Sequence, residues 1–361
     1  MRIIDIDGHV READDLWERY LEPPFRARAP KVQRVPNGQL LFLLEGTRYH
    51  RKPDESPFET KRDHSPANPH RERGMDPTAR LNDMDVEGIE AGILFPSAGL
   101  YLPSVEEEPY AVALCRAYNN WLFDYCRTNP RRLLGVGVIP VQDIGAAVEE
   151  TRRVVSELGF KGVFVRPNPV KGRTLDDPYY DPFYAIVQEL GIPLMVHEGS
   201  GAYLPTAGAD RFPGQWFFTH TISHPFEQML ACLSLVCKGV LEKFPQLRVI
   251  FLESGAGWLP YWLWRMDEHF EKLPFQVPRL KMKPSDYFRR QCYISCEPDE
   301  DNLGAIVQTV GEERVLFASD YPHWDSTFPG APKAILDSTD IGLDAKRKIL
   351  GENALKLLGI G

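Results

Sequence analysis

The feature that most constrains this chain is an eightfold alternation of strand-like and helix-like segments. Short apolar runs that predict strands lie at residues 2–9, 89–95, 133–139, 161–166, 192–197, 247–253, 291–296 and 314–319. A helix at 76–87 opens on Asp76-Pro77, a capping acid and a proline suited to a first helical position, and stops at Gly88. Helical stretches follow at 107–128, 143–158, 179–190, 222–243, 258–272 and 299–309, and one at 343–358 closes the set. Eight such units predict an α/β fold, a (β/α)8 TIM barrel with a long insertion after strand 1. The alternative, a doubly wound open sheet, usually has fewer strands and often a Gly-rich phosphate loop after the first, which is absent here. At 361 residues the chain suits a single barrel domain over 1–361.

The insertion spans 11–75, where Pro23, Pro24, Pro30, Pro36, Pro53, Pro57, Pro66 and Pro69 interrupt every candidate helix. Within it, 39–44 is expected to form a hairpin with 48–50 across Glu45-Gly46. Loops of this length after a barrel strand cover an active site or build a dimer contact, and both readings stay open. His50, His64 and His70 are expected to be solvated loop residues.

Polar residues at the C-terminal strand ends of a barrel share one rim. The first strand, Arg2-Ile3-Ile4-Asp5-Ile6-Asp7-Gly8-His9, alternates at period two, so Asp5, Asp7 and His9 are expected on one face and Ile4 and Ile6 on the other. An acid and an imidazole two residues apart present two ligands to one cation. The ends of the other strands supply Arg166, His197, Glu253, Glu297 and Asp320. An apolar core does not predict this gathering of polar residues on one rim, whereas a mononuclear divalent-metal site does.

These residues carry a resemblance. The strand 1 motif Asp7-Gly8-His9 is followed by Arg80-Leu81-Asn82-Asp83-Met84-Asp85-Val86-Glu87-Gly88-Ile89, Asn129-Pro130-Arg131-Arg132-Leu133 and Gly191-Ile192-Pro193-Leu194-Met195-Val196-His197. Phe244-Pro245-Gln246-Leu247-Arg248 and Ser319-Asp320-Tyr321-Pro322-His323 complete the series. In this order they resemble the amidohydrolase superfamily, in particular the amidohydrolase-related group that includes aminocarboxymuconate-semialdehyde, resorcylate and carboxyvanillate decarboxylases. The resemblance implies one divalent metal ion, Zn ahead of Mn, held by Asp7, His9, His197 and Asp320. It departs from the group at two points. Asp7 stands where His or Glu is common, so it ligates either directly or through water. Glu253, in Phe251-Leu252-Glu253-Ser254-Gly255-Ala256-Gly257-Trp258-Leu259-Pro260, stands where the decarboxylases usually carry a catalytic His.

Glu253 can still do acid–base work, because apolar walls at Phe251, Trp258 and Trp262 would push its pKa upward; otherwise it is a rim acid bonded to a loop amide or a neighbouring His. His224, expected at the start of the helix after strand 5, either pairs with Glu253 or only opens that helix before Pro225; His220 is a weaker candidate. His323 is expected to orient Asp320 or to touch substrate rather than bind metal. Arg166 either pairs with a substrate carboxylate through its fork or forms a structural salt bridge. The aromatic set Trp121, Tyr203, Trp216, Phe217, Phe218, Trp258, Tyr321 and Trp324 suits a planar carboxylated substrate or plain barrel-to-helix packing.

The expected function is a metal-dependent non-oxidative decarboxylase, a carbon–carbon lyase, of an aromatic or unsaturated carboxylic acid, with Asp320, Glu253 and His224 as catalytic candidates. The alternatives are a metal-dependent hydrolase of a lactone or amide, in which Asp320 accepts the proton of the attacking water, and a lapsed barrel that binds a carboxylate ligand. The net charge of −9, with 42 basic residues against 51 acidic, argues against a nucleic-acid partner. No apolar run is long enough for a bilayer, and no signal peptide is read at the N-terminus. Six cysteines without a CxxC pair fit buried thiols in a reducing cytoplasm. A homodimer is the expected assembly.

Overall fold

The computed structural model describes residues 1–34, 40–45, 48–49, 71–199, 204–213, 215–323 and 325–360. His50, His64, His70, Tyr203 and Trp324, and the Gly46 turn of the expected hairpin, lie outside the described residues. Strands β1 (Ile4–His9), β5 (Ala91–Phe95), β6 (Leu133–Gly135), β7 (Gly137–Val138), β8 (Val163–Val165), β9 (Pro193–His197), β10 (Arg248–Leu252), β11 (Cys292–Cys296) and β12 (Val315–Phe317) all pair in parallel. Their near-continuous apolar character follows from burial on both faces, as in β5 and β9, where every residue is buried. β6 pairs with β5 and β7 with β8, so these two short strands, separated at Val136, act as one barrel strand linking the two halves of the sheet.

Closure comes at β1 and β12. The His9 amide donates to Tyr321 O at 2.7 Å and the Asp320 amide to Asp7 O at 2.9 Å, which turns the open ladder into a (β/α)8 barrel. The seam therefore runs through residues that the sequence marked as candidate ligands.

Between the strands the helices follow local chemistry. Helix Pro77–Glu87 is capped by the Asp76 carboxylate, which accepts from the Thr78 amide at 2.8 Å, and it ends at Gly88 with φ +70°, a backbone that glycine adopts without strain. The Asp143 carboxylate caps helix Ile144–Ser156 in the same way, accepting from Ala146 at 3.1 Å. The structure corrects or refines the expected helices at three points. The helix expected at 222 begins at Trp216, so His224 and Pro225 lie inside helix Trp216–Cys237, and a separate turn follows at Val240–Lys243. The closing helix is three pieces, Leu343–Arg347, a π-helical Lys348–Glu352 and Asn353–Leu358. Short helices at Leu16–Tyr20, Pro284–Gln291 and Ala331–Asp337 were not anticipated, because five to eight residues carry too little periodicity to register.

The insertion contributes an antiparallel sheet of β2 (Lys31–Arg34), β3 (Leu40–Leu44) and β4 (Arg48–Tyr49) in that order. The β3–β4 pairing matches the expected hairpin. β2 was missed because Lys31-Val32-Gln33-Arg34 lacks an apolar stripe.

Gly351 locks the C-terminal segment against the entry to β1: a Cβ there would fall 2.2 Å from the Arg2 carbonyl oxygen. Gly351→Ala is expected to destabilise the fold by about 1–3 kcal/mol through this overlap, read as a lower midpoint in urea; an unchanged midpoint would mean that the segment is free to shift. Among the described residues, no helix is long and apolar enough to cross a membrane.

Candidate metal centre

The pleat of β1 is interrupted by a register shift between Asp5 and Gly8. Asp5 therefore does not join Asp7 and His9, which corrects the expected common face. It faces the helix layer, in a cleft it shares with Arg80, Asp83 and Met84, and binds Ser319 through the amide at 3.0 Å and the hydroxyl at 2.6 Å. Asp7 and His9 remain at the rim, 1% and 0% exposed.

There the structure gathers two overlapping triplets, Asp7–His9–His197 and His9–Asp320–His323, each with its ligand atoms within 4.8 Å of one another. Asp7 Oδ1 lies 3.5 Å from His9 Nε2 and 3.2 Å from His197 Nε2, and Asp320 Oδ1 lies 3.5 Å from His9 Nε2. Ligands about 2.1 Å from one cation in a tetrahedral array sit about 3.4 Å apart, so these spacings suit a metal. The imidazoles are oriented for it. His9 Nδ1 is 2.7 Å from Pro96 O and His197 Nδ1 is 2.6 Å from Glu198 O, contacts that place the proton on Nδ1 and turn the Nε2 lone pairs to the centre. His9 Nε2 is a buried atom without a hydrogen bond among the described residues. Two His and two Asp thus form a donor set that fits a divalent ion of the Zn or Mn kind.

The electrostatics mark one tightly coupled cluster, in which Asp7 and Glu253 outweigh burial and raise His197 well above the ordinary imidazole value. Burial, then the charges of Glu253, Asp325 and Asp7, push the Asp320 carboxyl well above the usual carboxylate range. Burial also raises Asp7, although His197 opposes the shift. Burial, then His323 and His197, hold His9 well below the ordinary imidazole value, in the neutral form that can ligate. A cation is the natural complement to such a concentration of buried carboxylates.

Glu253 and Asp320 share a backbone feature that the sequence did not reveal: both have φ +53°, in the left-handed region. Each costs about 1 kcal/mol for a residue other than glycine, and each re-aims its side chain as the strand ends. Glu253 lies with Oε2 2.9 Å from His197 Nδ1 and Oε1 3.4 Å from His224 Nε2. The expected upward shift of Glu253 is corrected. Burial does raise it, but His197 and His224 outweigh burial and hold it well below the usual range. The two tryptophans expected beside it are fixed by their own contacts. Trp262 donates its indole N–H to Met229 O at 2.9 Å, and Trp258 donates to Gly255 O at 3.0 Å while packing edge-on against Phe251.

His224 reaches this site from the third turn of its helix, not from the helix start. Burial lowers its pKa, but Glu198 and then Glu253 raise it overall. His220 lies beside it with the two rings tilted and their centres 4.2 Å apart. His323 packs on the His9 ring at 3.9 Å, with Nδ1 2.7 Å from Asp320 Oδ1, where it can orient that carboxylate. At the end of β11, the Glu297 carboxyl is pushed well above its ordinary value by burial and by Asp320, Glu300 and Asp7.

Arg166 is turned inward. Its Nη2 meets Glu198 Oε1 at 3.0 Å and Asn168 Oδ1 at 2.9 Å, and its Nη1 donates to Leu100 O at 3.0 Å. Both Nη atoms are therefore taken by the protein, the arrangement of the salt-bridge reading of Arg166 rather than of the substrate clamp. Its partner Glu198, 0% exposed, was missed. The strand pleat would have turned Glu198 away from His197, but β9 ends at His197 and the pleat no longer dictates direction. Arg166→Met is expected to cost about 3–5 kcal/mol in urea unfolding, because it strands a buried carboxylate. Unchanged stability with a raised KM would return Arg166 to substrate binding.

The chain is similar to known proteins. The amidohydrolase family model matches residues 4–360. Gamma-resorcylate decarboxylase from Rhizobium sp. (strain MTP-10005) is 31% identical over 288 residues, 75% of this chain and 85% of that protein. 2-Amino-3-carboxymuconate-6-semialdehyde decarboxylase of Dictyostelium discoideum is 27% identical over 290 residues, 79% of this chain and 77% of that protein. Among solved structures, a dihydroxybenzoic acid decarboxylase from Polaromonas sp. JS666 with bound manganese and the inhibitor 2-nitroresorcinol superposes with a TM-score of 0.75 at 23% identity, covering 99% of this chain and 97% of that one.

Proposed function

This chain belongs to the amidohydrolase family, and from that premise we propose that it is a metal-dependent non-oxidative decarboxylase of an aromatic or unsaturated carboxylic acid. The observation that carries the proposal is the convergence, on one barrel rim, of a four-residue donor set with an acid–imidazole pair, Glu253 and His224, 3.4 Å apart. The decarboxylase relatives support this reaction over hydrolysis. Asp7, His9, His197 and Asp320 would hold the ion, and manganese in the related Polaromonas structure supports Mn beside Zn. A bound divalent ion would supply positive charge that anchors a substrate carboxylate and its neighbouring hydroxyl.

The remaining work falls to the protein. Decarboxylation requires a proton on the carbon that carries the carboxylate; the C–C bond then breaks, its electron pair returns to the ring and CO2 leaves. Glu253 and His224 share that proton: His224, whose pKa is raised, holds it, and Glu253, the carboxylate facing the centre, relays it. His323 keeps Asp320 oriented. Glu198, fixed by Arg166, faces His224 Nε2 at 3.6 Å and holds that ring in register.

A homodimer belongs to the same reading, supported by Phe226, Leu230, Tyr261 and Trp264, which stand 51–57% exposed on helices Trp216–Cys237 and Leu259–Lys272. A cytoplasmic setting is supported by six free thiols, five of them buried.

The test is elemental analysis of the purified protein followed by CO2 release from 2,6-dihydroxybenzoate and related hydroxybenzoates, beside lactone and amide hydrolysis. One divalent ion per chain and CO2 release are expected. Hydrolysis without CO2 release would overturn the lyase reading, and bound metal with neither activity would leave a carboxylate-binding barrel.

A further inference from the structure

The motif Arg80-Leu81-Asn82-Asp83 takes no part in the reaction just derived, yet Arg80 is 2% and Asp83 6% exposed on helix Pro77–Glu87. A guanidinium this deep is costly unless its donors are used. Arg80 Nη2 donates to two carbonyls, those of His9 and of Tyr321, the second at 3.3 Å, and its Cζ lies 4.9 Å from the Tyr321 ring centre. Those carbonyls stand on opposite sides of the barrel seam, where the backbone is joined by His9 N–H to Tyr321 O and Asp320 N–H to Asp7 O. Asp83 grips the same segment. Its carboxylate accepts from the Tyr321 hydroxyl and is itself held by the Arg73 fork through two bonds of 2.8 Å.

Tyr321 directly follows Asp320, whose left-handed backbone is disfavoured for an L residue with a side chain and persists only where its surroundings hold it. We infer that Arg80 and Asp83 are positioning residues for the metal centre: from the outer face of the barrel they clamp the seam at His9 and Tyr321, and so keep the Asp320 carboxylate within reach of His9 Nε2. The inference rests on the metal centre proposed above. It assigns a task to a helix that contributes no ligand.

Chelator-competition titration of Mn and Zn against wild type, Arg80→Lys and Tyr321→Phe tests it. Lysine keeps the charge but lacks the planar fork, and phenylalanine deletes a single oxygen. Both variants are expected to bind metal about 10–100-fold more weakly, with activity recovering toward wild type at saturating metal. Ile306→Val, in the buried face of the remote helix Leu303–Val310, is the control: it is expected to lower Tm and leave metal affinity unchanged. If wild type binds no metal, the metal centre itself fails. If wild type binds and both seam variants bind equally well, the positioning role is overturned. Should Arg80→Lys not fold, Tyr321→Phe decides alone.

Discussion

Asp320→Asn is expected to yield a folded protein that retains little or no divalent metal and loses about a thousandfold or more in kcat/KM. The size follows from the several kcal/mol that a bound ion contributes to charge stabilisation, at 1.36 kcal/mol per tenfold in rate. Asparagine is the informative replacement, because it tolerates the left-handed backbone that Asp320 adopts at φ +53°, so the loss cannot be blamed on strain. The metal-free stability should move the other way. An acid whose carboxyl is raised in the folded state, as Asp320 is by burial and by Glu253, Asp325 and Asp7, costs stability above its unfolded pKa, and the amide removes that cost. Metal-stripped Asp320→Asn should therefore melt no lower than metal-stripped wild type, whereas added metal should raise the Tm of wild type alone. Full metal content in the variant would show that Asp320 is not a ligand.

Glu253→Gln is expected to separate chemistry from metal binding. The amide fits the same space but cannot pass a proton, so kcat should fall by about 10²–10⁴ while the metal stays at wild-type stoichiometry. His224→Gln should fall less, because Glu253 would remain beside the substrate and lose only its partner at 3.4 Å. Metal analysis and steady-state kinetics on the two variants give the answer. Metal loss in Glu253→Gln would make Glu253 a ligand, consistent with its 4.0 Å approach to His9 Nε2. Unchanged kcat would remove it from the reaction.

These expectations show how differently the parts of this protein could be read from its sequence. The barrel strands were legible because burial on both faces enforces an apolar run of strand length, and the rim residues because each such run ends where the backbone must turn. Asp7, His9, His197 and Asp320 stand at such ends, so one-dimensional pattern and fold rule together placed them on one rim. Glu253 and His224 were found as residues, and their pairing only as one of two readings. Their mutual distance depends on a helix that starts six residues earlier than its pattern suggests and on a left-handed turn that Glu253 alone does not announce.

Other features were decided only by three-dimensional packing. The bulge in β1 sent Asp5 to the outer face, although strict alternation placed it beside Asp7. Arg166 had two plausible partners until β9 ended at His197 and delivered the Glu198 carboxylate to its fork. The sequence by itself determined the number and order of the barrel strands and the candidate ligands at their ends, because both follow from local hydrophobic period and chain direction. Tertiary structure decided which charges meet, what protonation they favour and how the seam between β1 and β12 is clamped, because those are set by distances between residues far apart in the chain and by the water that their burial excludes.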